Sequence, residues 1–216
     1  MLTNTFFDKD AAAVAKELLG KVIRFRDRNN ILSAMITETE CYYLKDKGSH
    51  ASLGYTKKRE PLFMPAGTIY MYYARGKDSL NISCKGEGNA VLIKGAMPYT
   101  DSISPVDTIE LMHVNNPLKN GRRRPRRRLC SGQTLLCRAL GIKLTQWNAK
   151  NFVPDVFYLE DTGYRPDKII QTTRLGIPEG RDEHLPYRFV DFANADTATS
   201  NPLTKKSLKY SIIEYA

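Results

Sequence analysis

The chain has 216 residues, 42% hydrophobic and 26% charged, a balance that supports a folded core and excludes a wholly disordered chain. No run approaches the roughly 20 apolar residues that span a bilayer, and the opening residues lack the basic start and apolar centre of a secretion signal. Lys and Arg outnumber Asp and Glu by 33 to 23, and six of the 33 lie in the run Arg122-Arg123-Arg124-Pro125-Arg126-Arg127-Arg128. More than half of the net charge of +10 is therefore in one place, which suits a polyanion through counterion release. A solvated loop or a sorting signal is an equal alternative on charge alone.

In chain order, Asp8 is expected to cap a first helix whose apolar face is Ala11, Ala12, Val14, Ala15, Leu18 and Leu19, with Gly20 as its stop. KVIRF and ILSAMITETECYY follow, divided by Asp27, Asn29 and Asn30, and predict a β-hairpin. Residues 44–59 are polar and loop-like. IYMYY, LNISC and AVLIKGAM, divided by turns at 74–79 and 86–88, predict a three-strand antiparallel meander over 69–97. Helices are expected over 107–118 and 134–140, the second ended by Gly141; strand-like VFYLE, IIQTTRLGI and YRFVDF come last. Strands on both sides of the arginine run favour one α+β domain over 1–216, with a basic loop insertion around 119–128.

Cys41, Cys84, Cys130 and Cys137 form no CxxC, and His50, His113 and His184 are dispersed, so neither a disulfide framework nor a structural zinc site is expected. Cys130 and Cys137, seven apart, fit one helical face as buried thiols, and the compartment reads as reducing.

The chemistry concentrates in ETECYY. Glu38 and Glu40 are two apart on a predicted strand, which aims both at one face, and glutamate is a poor strand former. Two explanations stand: an edge strand showing its acids to water, or a general base beside aromatic walls, with Tyr42 on the same face as Glu40. Tyr70, Tyr72 and His50 can stack on a planar ligand or serve as ordinary half-buried sheet residues. Asn81 can hydrogen-bond in a cleft or cap a turn.

Taken together, AKELLGK, ETECYY, PAGTIYMYYARG, NISCKGEGNAVLIK, LCSGQTLLCRALGI, TTRLGI and PYRF, in that order, resemble the alkyladenine (3-methyladenine) DNA glycosylase family. The resemblance runs from Phe6-Phe7 to Tyr187-Arg188-Phe189. It implies a curved antiparallel sheet with surrounding helices, and a protruding β-hairpin that intercalates into DNA. It also implies an enzyme that flips alkylated or deaminated purines out of the duplex and hydrolyses the N-glycosidic bond, leaving an abasic site.

By the same resemblance Glu40 is the general base, Tyr42, His50 and Tyr72 stack on the flipped purine, and Asn81 disfavours the exocyclic amine of guanine. The family also uses a main-chain carbonyl near the C-terminus to position water, here somewhere in residues 195–200. There are two departures. Arg75 stands at the hairpin tip where relatives place a bulky wedge, with Lys77 beyond Gly76; Lys94 stands where the family commonly has an arginine that holds water and a phosphate.

The resemblance further implies a monofunctional enzyme without lyase activity, metal or cofactor, acting as a monomer on damaged double-stranded DNA. Its expected place is the bacterial cytoplasm at the nucleoid, or the nucleus if the source is eukaryotic. Arg122, Arg123, Arg124, Arg126, Arg127 and Arg128, with Lys77, are the expected backbone contacts. The departures keep two alternatives open, a catalytically weak homologue that binds distorted DNA and a basic RNA-binding protein.

Overall fold

In a computed structural model, which describes residues 1–214, the strands are β1 (Val22–Asp27), β2 (Asn30–Tyr42), β3 (Ile69–Ala74), β4 (Lys77–Ser83), β5 (Ala90–Pro98), β6 (Phe157–Glu160), β7 (Lys168–Thr172), β8 (Arg188–Asp191) and β9 (Tyr210–Glu214). The helices are α1 (Asn4–Phe7), α2 (Ala11–Glu17), α3 (Thr108–Asn115), α4 (Gln133–Leu140) and α5 (Leu144–Trp147). One antiparallel sheet runs β3-β4-β5-β2-β8-β7-β9, and β1 joins β6 to the first half of β2. The architecture is α+β, as expected.

The helix after residue 10 begins where a carboxylate can take its orphan amides: the Asp10 side chain accepts from the Ala12 and Ala13 N–H groups. Asp8 does not cap it; it closes the short α1, its own N–H bonding to Asn4 O. The helix expected over 107–118 is shorter, because Pro117 disfavours helical backbone at Asn116. Asn116 instead turns inward and donates to Leu129 O at 2.7 Å. Cys130 precedes α4 rather than sharing a helical face with Cys137; both thiols are fully buried, and burial pushes both upward in pKa. The edge strand β9 adds a strand that the sequence pattern does not signal, since Tyr210 and Ile212 both stay exposed.

Helices α2, α3 and α4 pack on β2, β4 and β5. Val14 and Ala15 from α2, Leu18 just after it, and Leu136, Cys137 and Leu140 from α4 meet Ile36, Ile82 and Ile93 of the sheet in one core. The consequence that matters most lies in β2. It bonds to β5 on one side and β8 on the other, so ETECYY is interior and its acids are not on an edge. Its register with β5 shifts around Glu38, a bulge of the kind that re-aims side chains beside active sites.

The β3–β4 turn is two residues long. Arg75 (φ 52°) and Gly76 (φ 75°) both take left-handed backbone, the requirement of a type I′ hairpin. The turn projects into open space, since a Cβ at Gly76 would meet nothing within 4 Å.

Candidate active site

A cleft of about 820 Å³ opens between the meander and three segments brought to it by the fold: the loop around Ser49-His50, the turn leading into α4, and the loop after Arg174. Tyr42, His50, Tyr72, Arg75, Lys77, Asn81 and Lys94 all line it. The sheet accounts for this gathering. Tyr72, Asn81 and Lys94 come from three neighbouring strands, with Asn81 directly opposite Tyr70 on β3 and Leu92 on β5.

Glu40 lies just behind this wall. It is fully buried and does not line the cleft; its partners Tyr42, Lys94 and Leu175 do. The Tyr42 hydroxyl donates to Oε2 at 2.6 Å, the Leu175 N–H donates to Oε1 at 3.1 Å, and Lys94 Nζ sits 3.2 Å from Oε1 and 3.3 Å from Oε2. Burial alone would push this carboxyl up. Lys94, the two hydrogen bonds and the Arg188 guanidinium outweigh it and hold Glu40 below the ordinary carboxylate value, so it is ionised at neutral pH. Burial, reinforced by the Glu40 charge, drives the Tyr42 phenol well above its usual value, so Tyr42 remains a donor.

The aromatic walls are fixed from behind. His50 and Tyr72 meet edge to face with ring centroids 4.4 Å apart, Tyr70 and Tyr72 stack at 5.8 Å, and His50 Nδ1 lies 2.9 Å from the Tyr70 hydroxyl. Burial, then Arg59 and Arg181, lower the His50 pKa, so its ring is neutral at pH 7. The Asn81 amide donates to Tyr70 O at 3.1 Å, which fixes its orientation at the cleft wall.

Several residues in the cleft or packed behind its wall carry no signal that sequence inspection isolates. Arg174 is buried, stands 4.6 Å from the Tyr42 ring centroid, and is paired with the buried Asp46. It thereby ties the loop after β7 to the loop after β2. Gln133 donates to the Tyr72 hydroxyl at 3.4 Å, and Thr199 reaches the cleft from beyond β8. TTRLGI and LCSGQT mark the neighbourhoods of Arg174 and Gln133 without revealing their contacts.

The arginine run does not line the cleft. Arg126–Arg128 form a single 3₁₀ turn. Arg127 is paired with Asp196 at 2.6 Å, Arg128 donates to the carbonyls of Asp196 and Ala198, and Arg123 is paired with Glu110. Arg122 and Arg126 are exposed without an acidic partner, and Arg124 is half-buried with Nε unbonded, among the described residues.

The profile of the methylpurine-DNA glycosylase family matches residues 5–195, a span that holds the whole cleft except Thr199. The chain belongs to the methylpurine-DNA glycosylase family. A protein of Pseudomonas fluorescens Pf0-1 is 59% identical over 204 residues, 94% of this chain and 88% of that one. One of Pseudomonas aeruginosa PAO1 is equally identical over 94% of this chain and 85% of its own. A Clostridium botulinum protein is 38% identical over 89% of this chain and 97% of its own. All three carry the provisional name 3-methyladenine DNA glycosylase. Family membership makes this chain a DNA-repair glycosylase, a hydrolase whose substrate is DNA. It removes the ground for the RNA-binding alternative, which rested on the arginine run. Among the described residues, no helix is long and apolar enough to cross a membrane.

Proposed function

We propose that the chain, acting as one domain and as a monomer, extrudes alkylated or deaminated purines from duplex DNA into this cleft and hydrolyses the glycosidic bond with Glu40 as general base. The observation that carries the proposal is an ionised, fully buried carboxylate set directly behind an aromatic cleft, held by Lys94 and Tyr42. Extrusion is required because the glycosidic bond cannot be reached within the stack. Tyr42, His50 and Tyr72 receive the purine, and a neutral His50 adds no repulsion against a cationic alkylated base. Asn81 sits at the wall as the group that a guanine amine would leave badly matched.

In the chemical step the water oxygen bonds to C1′ while the bond from C1′ to the base nitrogen breaks. The electron pair leaves with the base, and Glu40 takes the water proton. The phosphodiester stays intact, so the product is an uncut strand with an abasic site. Lys94 guards access to Glu40; a DNA phosphate competing for its ammonium would open the carboxylate to water. In residues 195–200, each carbonyl but that of Thr199 has a hydrogen-bond donor among the described residues, which supports Thr199 O as the carbonyl that steadies the water.

Arg75, at the tip of the hairpin, fills the gap left by the extruded nucleotide, its flat guanidinium stacking on the neighbouring bases. Arg75→Ala is expected to weaken binding to a lesion duplex by roughly tenfold, the scale of one lost stacking contact. The same change should leave binding to undamaged duplex nearly untouched, and gel-shift titration of the two duplexes checks this. Equal weakening on both would show that Arg75 acts as a simple phosphate contact.

The arginine run serves the backbone unevenly. Arg122, Arg124 and Arg126 are available, whereas Arg123 and Arg127 are held by Glu110 and Asp196. Neutralising the first three should reduce the slope of log K against log salt by about two to three units, at ~0.9 per phosphate. Neutralising Arg123 and Arg127 should change it by less than about one unit, with single-turnover excision at saturating enzyme unchanged in both cases. Excision that collapses at saturation would put the run inside the active site instead.

A further inference from the structure

Glu38, two residues before Glu40, is fully buried and does not line the cleft, yet both its oxygens are engaged. Oε1 accepts from Arg188 Nε at 2.6 Å; Oε2 accepts from the Thr199 N–H at 2.7 Å and from the Thr199 hydroxyl at 2.8 Å. Arg188, also fully buried, donates from Nη2 to Ser200 O at 2.6 Å. The pair therefore grips two consecutive residues of a segment that has no regular secondary structure and whose Thr199 lines the cleft. Room for the carboxylate comes from Gly95, next to Lys94, where a Cβ would stand 2.8 Å from Glu38 Oε2.

A buried ion pair is a poor way to gain stability, since desolvation of two charges offsets most of their attraction, and well-packed apolar residues often do as well. What such a pair does supply is a fixed geometry. Here that geometry is shared with the site: Arg188 lies opposite Glu40 in the β2–β8 register, and the Thr199 segment lies against the strand that carries Lys94.

We propose that Glu38 and Arg188 are positioning residues, a buried clamp that sets the Thr199–Ser200 backbone against the cleft and thereby governs the rate of excision without touching the nucleotide. The inference rests on the glycosylase reading and extends it to residues behind the wall. Glu38→Gln tests it closely. The two grips use different carboxylate oxygens, and an amide has only one; the charged Arg188 keeps that oxygen, which turns the NH2 toward the Thr199 N–H and breaks the grip on Thr199.

Two measurements separate the clamp from a merely structural staple. Hydrogen exchange of the Thr199 amide reads the grip itself, and single-turnover excision of hypoxanthine from a duplex reads its consequence. For Glu38→Gln we expect Thr199 to exchange at least tenfold faster. The saturating rate should fall by ~10- to 100-fold, the cost of a misplacement near 1 Å, while half-saturation moves less than about threefold. If that variant does not fold, Thr199→Val and Thr199→Ser decide: valine should lose rate by severalfold, and serine, which keeps the hydroxyl donor, should recover most of it.

A folded Glu38→Gln protein, or a Thr199→Val protein, that excises at the parent rate would overturn the proposal, as would Thr199 exchange equal to the parent's. A parent protein that releases no base would instead contradict the glycosylase reading, and the exchange measurement would still decide whether the clamp exists.

Discussion

Glu40→Gln is expected to lower single-turnover excision by at least ~10³-fold, within the 10²- to 10⁴-fold range that a positioned acid or base supplies. Lesion-duplex binding should stay within about threefold, because Glu40 is hidden behind Tyr42 and Lys94 and does not itself line the cleft. The amide keeps the shape of the carboxylate and can still accept from Tyr42 or Leu175, but it cannot take a proton from water. It also leaves Lys94 without its counter-ion, so a lower melting temperature should accompany the loss. Excision by the glutamine protein within tenfold of the parent would remove Glu40 from the role of base. Equal loss of binding and excision would point to a collapsed pocket, which the melting curve detects. A weak homologue that only binds distorted DNA would have no excision to lose, so the same pair of proteins separates the two functions.

Lys94→Met is expected to move the acidic limb of the pH–rate profile upward, and Lys94→Arg to return it toward the parent. Glu40 is faced by Lys94 on β5, the Tyr42 hydroxyl on β2, the Leu175 amide after β7 and the Arg188 guanidinium on β8. Burial is the largest single influence and works against ionisation; Lys94 is the largest that favours it. Without the ammonium, burial dominates and the carboxyl rises, so a smaller fraction of enzyme holds an ionised base at pH 5–7.

The effect on stability has a definite sign. In the parent the Glu40 pKa is depressed from an ordinary value of 4.5. Its contribution to stability is therefore present above that value and lost as pH falls through the folded pKa. In Lys94→Met the sign reverses: the raised carboxyl resists ionisation, and the variant loses stability as pH rises toward neutrality. Melting temperatures between pH 4 and 8 should diverge from the parent's with increasing pH. Parallel curves would show that Lys94 is not the group that keeps Glu40 charged.

Much of the fold can be read from local pattern, because the β1–β2 hairpin and the β3–β5 meander are built from neighbouring strands with turn residues between them. The turn expected over 74–79 is tighter than the pattern indicates: only Arg75 and Gly76 form it, and Lys77, Asp78 and Ser79 already pair with β3. Helix α2 is legible as an apolar face, yet its cap is Asp10 rather than Asp8, since two acids two residues apart offer the same local signal. The candidate base and two of the candidate rings, Tyr42 and Tyr72, are visible through resemblance in the motifs ETECYY and PAGTIYMYYARG; His50 lies in the loop between them.

Contacts made across long separations are a different matter. Arg174 on Asp46, Arg188 on Glu38 and Thr199 in the cleft join residues more than a hundred positions apart, and pairing of that kind leaves no periodicity in the chain. Nor does net charge reveal that Arg127 and Arg123 are spoken for by Asp196 and Glu110.

The most direct measurement is single-turnover excision by the parent chain from duplex oligonucleotides, each carrying one hypoxanthine, one ethenoadenine or one methylated purine. The expected result is release of free base from at least one of them, with the strand intact until alkali cleaves it at the abasic site. No release from any lesion at saturating enzyme, or a strand cut without alkali, would contradict hydrolysis by Glu40 in this cleft.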